Sequence, residues 1–291
     1  MKLKNLMRRK WQPVHLRNSQ RSCFKDCRKK YYYAYILKLE PKVPSRKLHL
    51  GTLVHEALAY YYTPRKTPNK EEALIFYNQR AQEELIRLQL PQEMYQEFEK
   101  DKELGYNMLK YYFEEFAPAN DDFKVLSIEQ EVSARIKTPK NTSSHILFGG
   151  RVDGIIQHRG QNLIFEHKTA ASLDTNNLIL DEQMSAYMWV CNQMGYQIDG
   201  ILYNIIRKVN PYSPRSKPPY VYREIIYRNH LELENQGRQL YQEAQDIRSC
   251  KNFYRNPSRD CNWKCAYRNL CMAEIDGSDI QYLVEANFVK K

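Results

Sequence analysis

Apolar positions along the chain change period several times, and each change marks an element. Residues 19–39 (SQRSCFKDCRKKYYYAYILKL) read as a helix, with Ser19 as N-cap and Cys23, Cys27 and Tyr31 recurring every fourth residue on one face. Pro41 and Pro44 break it. A second helix begins near Gly51 (GTLVHEALAYYY), where Leu50, Val54 and Leu58 make an apolar stripe and His55 lies beside it. Residues 70–116, rich in Glu, Gln, Leu and Tyr, predict two or more amphipathic helices interrupted at Pro91. They resemble a helical insertion, at 65–120, laid over a core.

From about residue 123 the period falls to two. FKVLSIEQEVSARI predicts one long strand, and SHILFGGRVDGIIQHRGQNLIFEHKT two strands around a turn at Arg159 and Gly160. A helix at 181–194 follows, then strands at 199–207 and 219–228 separated by a basic, Pro-rich loop (KVNPYSPRSKPP). Residues 230–250 return to helix before a Cys-rich tail. No internal repeat is present. The pattern predicts an α/β protein folded as a single domain over 1–291, with its sheet and helix core at 120–230.

The hairpin carries the candidate chemistry. If Arg159 and Gly160 form a two-residue loop, His158 faces Gln161 and Asp153 faces Glu166. Because strand side chains alternate, Arg151, Asp153 and Ile155 would share a surface with Ile164, Glu166 and Lys168, while Val152, Ile156, Leu163 and Phe165 would line the opposite, core-facing surface. Cross-strand neighbours have Cβ atoms about 4.5–5.5 Å apart, so two carboxylates there repel unless a cation lies between them. Mg²⁺ suits such oxygens, keeps several waters, polarises phosphoryl oxygens and supplies a nucleophilic water. Lys168 could then stabilise phosphate charge or orient the attacking water. Ordinary ion pairs on a solvated sheet face account for the hairpin residues taken alone, and a one-residue slip would send the carboxylates to different faces.

Composition narrows the class. The 291 residues include 45 Lys plus Arg against 34 Asp plus Glu, a net charge of +11, which favours a polyanionic partner. Hydrophobic residues make up 42%, with 23 Tyr, too many for a disordered chain. No run reaches the roughly 18 apolar residues of a membrane span, and MKLKNLMRRKWQPVH lacks a signal-peptide apolar region, so the expected address is cytoplasmic, with no membrane partner. Seven Cys in such a compartment argue for metal ligation or thiol chemistry rather than a disulfide framework.

Asp153, then Glu166-His167-Lys168, then Gln183 and Tyr187 four apart on a following helix together resemble the PD-(D/E)XK nuclease superfamily in its RecB-like branch, and GTLVHEAL is similar to the upstream motif of that branch. The resemblance implies a restriction-endonuclease-like fold, a mixed central sheet flanked by helices. It implies that Asp153, Glu166 and the His167 carbonyl bind Mg²⁺ or Mn²⁺, that His55 completes or tunes that site, and that Lys168 assists attack on a phosphodiester. Gln183 and Tyr187 would steady the site and touch DNA, although packing explains Tyr187 equally well. Glu56, the neighbour of His55, reads well as a helix-surface carboxylate.

The tail FYRNPSRDCNWKCAYRNLC brings three thiols, Cys261, Cys265 and Cys271, into one short stretch. RecB-like nucleases with an iron–sulfur cluster resemble this chain in having one early Cys and three terminal ones, which implies a [4Fe–4S] cluster on Cys27, Cys261, Cys265 and Cys271 at 250–275, with Zn²⁺ as the lesser alternative. Three residues, rather than the more usual two, separate Cys261 from Cys265. Cys23 is a rival ligand; for Cys23, Cys191 and Cys250 the plainer expectation is a buried or tolerated thiol. Tyr31, Tyr32, Tyr33 and Tyr35, among Arg28, Lys29 and Lys30, could stack on unpaired bases or pack internally.

The function implied is a metal-dependent DNA exonuclease, with endonuclease activity open, in recombination, repair or CRISPR-type DNA processing, alongside a helicase or similar partner in a bacterial, archaeal or phage-infected cell. The alternative is an inactive, cluster-stabilised DNA-binding or scaffold subunit.

Overall fold

The computed structural model describes residues 14–42, 46–64, 69–88, 92–262 and 264–290; residues 1–13, Pro44 and Pro91 lie outside them. In chain order the elements are strand β1 (Val14–Leu16), helix α1 (Asn18–Asp26), a helical turn α2 (Arg28–Tyr31) that widens to π-helix over Tyr32–Ile36, strand β2 (Leu39–Pro41), and helices α3 (Arg46–Tyr62), α4 (Lys70–Leu88) and α5 (Gln92–Tyr111). A π-helical turn and α6 (Ala117–Asn120) lead to strands β3 (Lys124–Lys137), β4 (Ser143–His158) and β5 (Gln161–Ala170). Then come α7 (Glu182–Gln193), β6 (Gly200–Arg207), β7 (Val221–Tyr227), α8 (His230–Ser249), α9 (Arg268–Asp276), α10 (Ile280–Asn287) and β8 (Phe288–Lys290).

The hairpin joining β4 and β5 turns at Arg159 and Gly160, whose φ values of 49° and 83° are both positive, as a two-residue turn matched to strand twist requires. The expected register follows, with His158 opposite Gln161 and Ile155 opposite Ile164. β5 runs parallel to β6 and β6 antiparallel to β7, giving a mixed sheet in the order β1-β4-β5-β6-β7 with β3 also paired to β4.

Helices cover both faces of this sheet. On one, α3, α4 and α5 bury Val54, Leu58, Tyr77 and Leu109 against Ile156, Leu163, Phe165 and Leu202, so the helices of 70–116 share a core with the sheet. On the other, α7 and α8 bury Met184, Trp189 and Leu240 against Val152, Ile155, Ile164 and Ile201. The protein is thus an α/β sandwich of the restriction-endonuclease-like kind, with a mixed central sheet between helical layers.

The feature that positions the site is a fork in the sheet. One edge of β4 pairs with β3 along most of its length, but the other is shared: Ile146–Phe148 pair in parallel with β1, and 154–158 pair antiparallel with β5. Between those pairings, residues 149–153 have no ladder partner on that edge among the described residues. The β4–β5 ladder ends at Gly154 opposite Phe165, one position before Asp153 and Glu166.

Two expectations are corrected. Val152 was expected beside Ile156, Leu163 and Phe165, but it packs in the opposite layer with Ile155 and Ile164. Strict alternation fails at the neighbouring position: Ile128 pairs with Gly154 and Gln130 with Val152, and between them Glu129 takes a φ of 50°. A step out of the ladder at Glu129 and Asp153 exchanges the two faces on either side of it.

The helix expected over 19–39 is also divided. Cys27 is extended (φ −161°, ψ 116°); its N–H caps α1 on the Cys23 carbonyl, and its own carbonyl accepts from Tyr31. The Lys29 N–H donates to the Tyr254 carbonyl, so pairing with the distant tail overrides the local helical period. Arg17, rather than Ser19, is the N-cap. The expected tyrosine cluster packs internally: Tyr31 stacks on Tyr35, Tyr33 lies against Tyr267, and Lys29 sits over Tyr32 and Tyr33. β2 and β8 pair antiparallel, joining residues near both ends of the described chain.

Candidate active site

Asp153 stands where the sheet forks, and the opening lets side chains from both helical layers reach it. Its Oδ2 accepts the His167 backbone N–H at 2.9 Å, a bond that takes the place of the ladder that has just ended. From α3, His55 brings Nδ1 to 3.3 Å from the same oxygen. Burial opposes ionisation of Asp153, but the hydrogen bond from His55, its charge and the His167 N–H outweigh that and hold the carboxyl at about 2. His55 is correspondingly raised: burial works against its protonation, and Asp153 prevails.

Glu166 extends from β5 into the layer covered by α7. It is buried, and Lys168 Nζ donates to its Oε1 at 2.7 Å. Burial first, and the Asp153 carboxylate second, raise Glu166 above the ordinary carboxylate range even though Lys168 opposes them. Lys168 is itself raised: burial lowers it, and Glu166 more than compensates. Two carboxyl groups that resist simultaneous ionisation, with an ammonium beside them, form a donor set that fits a divalent cation.

Helix α7 is aimed by its first turn. Asp181, its N-cap, accepts the N–H groups of Gln183 and Met184 and the Tyr203 hydroxyl. Buried Arg228 holds the preceding loop through the carbonyls of Leu178 and Ile179, and bonds Ser185 on the helix. Gln183 is half-buried on the first turn of the helix. One turn on, Tyr187 is buried, and burial together with Glu166 raises its hydroxyl. Its ring lies so close to β4 that a Cβ at Gly150 would come within 2.4 Å of the Tyr187 hydroxyl, so glycine there makes room for the ring. Of the expected residues, Asp153, Glu166, Lys168, His55 and Tyr187 form one interacting group. Glu56 instead pairs with Arg80 at 2.9 Å.

Behind the Glu-x-Lys segment lies a polar network that strand patterning did not single out. Asn204 Nδ2 bonds His167 Nδ1 at 2.8 Å, and Arg223 Nε donates to Asn204 Oδ1 at 3.0 Å. The same guanidinium reaches Asp121 Oδ1 and the hydroxyls of Tyr112 and Tyr62. Burial lowers His167 to about 3, so its imidazole is neutral. The available sequence signals were Asn204 interrupting an apolar strand (GILYNIIR) and Asp181 at a helix start.

All seven cysteines are free thiols. The stretch 255–258 donates to three of the expected ligands: Asn256 N–H to Cys27 Sγ at 3.4 Å, Ser258 N–H to Cys261 Sγ at 3.4 Å, and Arg255 Nε to Cys271 Sγ at 3.3 Å. Burial raises the Cys265 thiol, and the nearby sulfurs of Cys261 and Cys27 add to the rise. Such N–H···S bonds suit thiolate ligands. Among the described residues, however, no three His, Cys, Asp or Glu groups are gathered into a metal-binding cluster, at the fork or at these cysteines. Cys23 is buried and raised to about 11 by that burial, in keeping with a packed thiol; Cys191 is buried too.

Among the described residues no helix is long and apolar enough to cross a membrane. No curated protein matches the chain in sequence. Among solved structures, a protein designated SSO0001 is similar over 76% of this chain and 95% of its own, at 16% identity and a TM-score of 0.35. A candidate exonuclease from Eubacterium rectale is similar over 87% of this chain and 93% of its own, at 11% identity and a TM-score of 0.46. A comparison with protein families matches residues 18–272, which contain the β4–β5 hairpin, both helical layers and all seven cysteines, to the PD-(D/E)XK nuclease superfamily. By that match the chain belongs to the PD-(D/E)XK nuclease superfamily.

Proposed function

We propose that the protein is a divalent-metal-dependent DNA exonuclease of the RecB-like branch, acting at DNA ends in the cytoplasm. The observation that carries this reading is the meeting of Asp153, Glu166 and Lys168 at the sheet fork, with Glu166 buried against a second carboxylate. Asp153, Glu166 and the His167 carbonyl would hold Mg²⁺ or Mn²⁺, with His55 completing the site. The ion, when bound, would polarise a phosphoryl oxygen and make water nucleophilic near neutral pH. Lys168 supplies positive charge to the phosphate during attack. Tyr187 borders the site on the α7 side, and Gln183 and Tyr187 are assigned to steadying it and contacting DNA.

The +11 charge suits a phosphate backbone, and the basic 207–219 loop leaves β6 beside the end of β5, where Lys208 N–H bonds the Ala170 carbonyl. For Cys27, Cys261, Cys265 and Cys271 we propose a [4Fe–4S] cluster of structural role, the three N–H···S bonds being its support; Zn²⁺ is the lesser alternative. A helicase or a recombination or CRISPR component is the kind of partner such a nuclease would serve.

The test is cleavage of end-labelled single- and double-stranded DNA with Mg²⁺ or Mn²⁺, comparing wild type with Asp153→Ala and Lys168→Ala. Each variant is expected to lose at least about 10²-fold in rate, the scale of removing a stabiliser of developing charge. Wild type that cuts neither substrate, or variants that cut normally, would refute the nuclease reading; the inactive scaffold would then be favoured. The ladders from each labelled end give polarity and mode.

A further inference from the structure

We propose that Asn204 and Arg223 are positioning residues that lock His167 in a single tautomer and so fix the Glu166–Lys168 segment against Asp153; this deepens the nuclease reading and rests on it. The argument is one of hydrogen-bond polarity. A guanidinium only donates, so the Asn204 atom 3.0 Å from Arg223 Nε must be the amide oxygen. The Asn204 amino group is thereby directed at His167 Nδ1, 2.8 Å away, which must accept. The ring hydrogen is left on Nε2.

Each end of this relay is anchored. Arg223 is held by Asp121, Tyr112, Tyr62 and the Asn120 carbonyl, so it cannot turn from Asn204 without abandoning four partners. The His167 ring is stacked beneath Tyr62 at 5.7 Å and lies 4.4 Å from Phe165, an enclosure that resists a ring flip. With Nδ1 accepting from the Asn204 amino group, the ring has one acceptor and one donor nitrogen. The main chain of the same residue donates to Asp153 and carries the carbonyl assigned to the metal. Pinning the ring therefore pins the peptide that joins the two carboxylates. Outer partners of this kind are worth about 10- to 100-fold in metal affinity or activity.

The experiment uses the full chain. Asn204→Asp keeps the shape but offers only acceptors, so His167 must turn an N–H toward it. ¹⁵N NMR of the imidazoles in metal-free protein should show His167 with its hydrogen on Nε2 in wild type and on Nδ1 in the variant. Calorimetric titration with Mn²⁺ alone should show about 10-fold weaker binding or more, and cleavage should need correspondingly more Mg²⁺ while the melting temperature stays within a few degrees. Should Asn204→Asp not fold, Asn204→Leu removes the relay without adding charge and is expected to weaken Mn²⁺ binding likewise.

Wild-type His167 with its hydrogen on Nδ1 overturns the proposal. So does a folded variant whose melting temperature falls while tautomer, Mn²⁺ affinity and Mg²⁺ requirement are unchanged, the pattern of a merely structural role. Protein that binds Mn²⁺ as expected and cuts no DNA would overturn the nuclease reading, and the tautomer and Mn²⁺ measurements would still decide the relay.

Discussion

Glu166 is held in a place that suits a metal better than it suits an ionised carboxylate. Burial and the charge of Asp153 raise it toward about 7. The unfolded chain ionises this group near the ordinary value of 4.5, while the folded chain keeps it protonated until about 7. Stability of the metal-free protein therefore falls as pH rises through that interval and stays reduced above it. Glu166→Gln carries no charge to desolvate. The expected outcome is a variant that is inactive yet melts higher than wild type at pH 8 in chelator, with added Mg²⁺ raising the melting temperature of wild type alone. Equal melting of the two metal-free proteins at pH 8 would show that Glu166 is not destabilised by its surroundings. Asp153 behaves oppositely: His55 and the His167 N–H favour its ionised form, so its contribution persists above the ordinary carboxylate range and is lost only as pH falls toward 2.

At the scale of elements, the β4–β5 hairpin and the fork together place the chemistry. The hairpin was legible because a two-residue turn fixes the register of every later pair, and Arg159 and Gly160 fall between two runs of alternating apolar residues. Arginine is nevertheless a poor residue for its φ of 49°, a region that costs most L-residues about 1–2 kcal/mol and asparagine less. Arg159→Asn should raise stability by about 0.5–1 kcal/mol, read as a higher urea midpoint at unchanged slope. The ion pair it removes, Arg159 to Asp122 at 3.5 Å, is exposed and contributes little. A lower midpoint would mean that the turn is not limited by backbone strain. The fork, by contrast, was not legible: it depends on β1 arriving in parallel beside Ile146–Phe148, a pairing between segments far apart in sequence.

Across the whole molecule, the segment 21–41 is fastened both to the C-terminal segment 255–290 and to the sheet's helical layer. β2 pairs with β8, the Tyr267 hydroxyl donates to the Leu39 carbonyl at 2.7 Å, and Glu274 receives both Lys29 and Arg255. Buried Arg21 on α1 pairs with Glu243 on α8, tying the same N-terminal segment to the α7–α8 layer. A cluster on Cys27, Cys261, Cys265 and Cys271 would add a crosslink spanning more than two hundred residues. Anaerobically purified protein should then be brown. Cys265→Ala should lose iron and solubility and melt at lower temperature before any chemical step changes. Full iron content in that variant, measured against protein concentration, would remove Cys265 from the ligand set.

The sequence by itself determined the order of the larger elements from α3 to α8, the Arg159–Gly160 register and the residue types that meet at the site, because each of these follows from local period, turn chemistry or spacing along one strand. It also placed Asp153 next to Glu166, to within the position at which the ladder stops. Only the tertiary structure decided that the strands part there, that Val152 and Ile156 serve opposite layers, and that Cys27 interrupts a helix. It alone brought Asn204, Arg223 and Asp121 behind His167. These outcomes depend on which distant segment fills a neighbouring edge or satisfies a buried donor, and local preference is too weak to specify that choice.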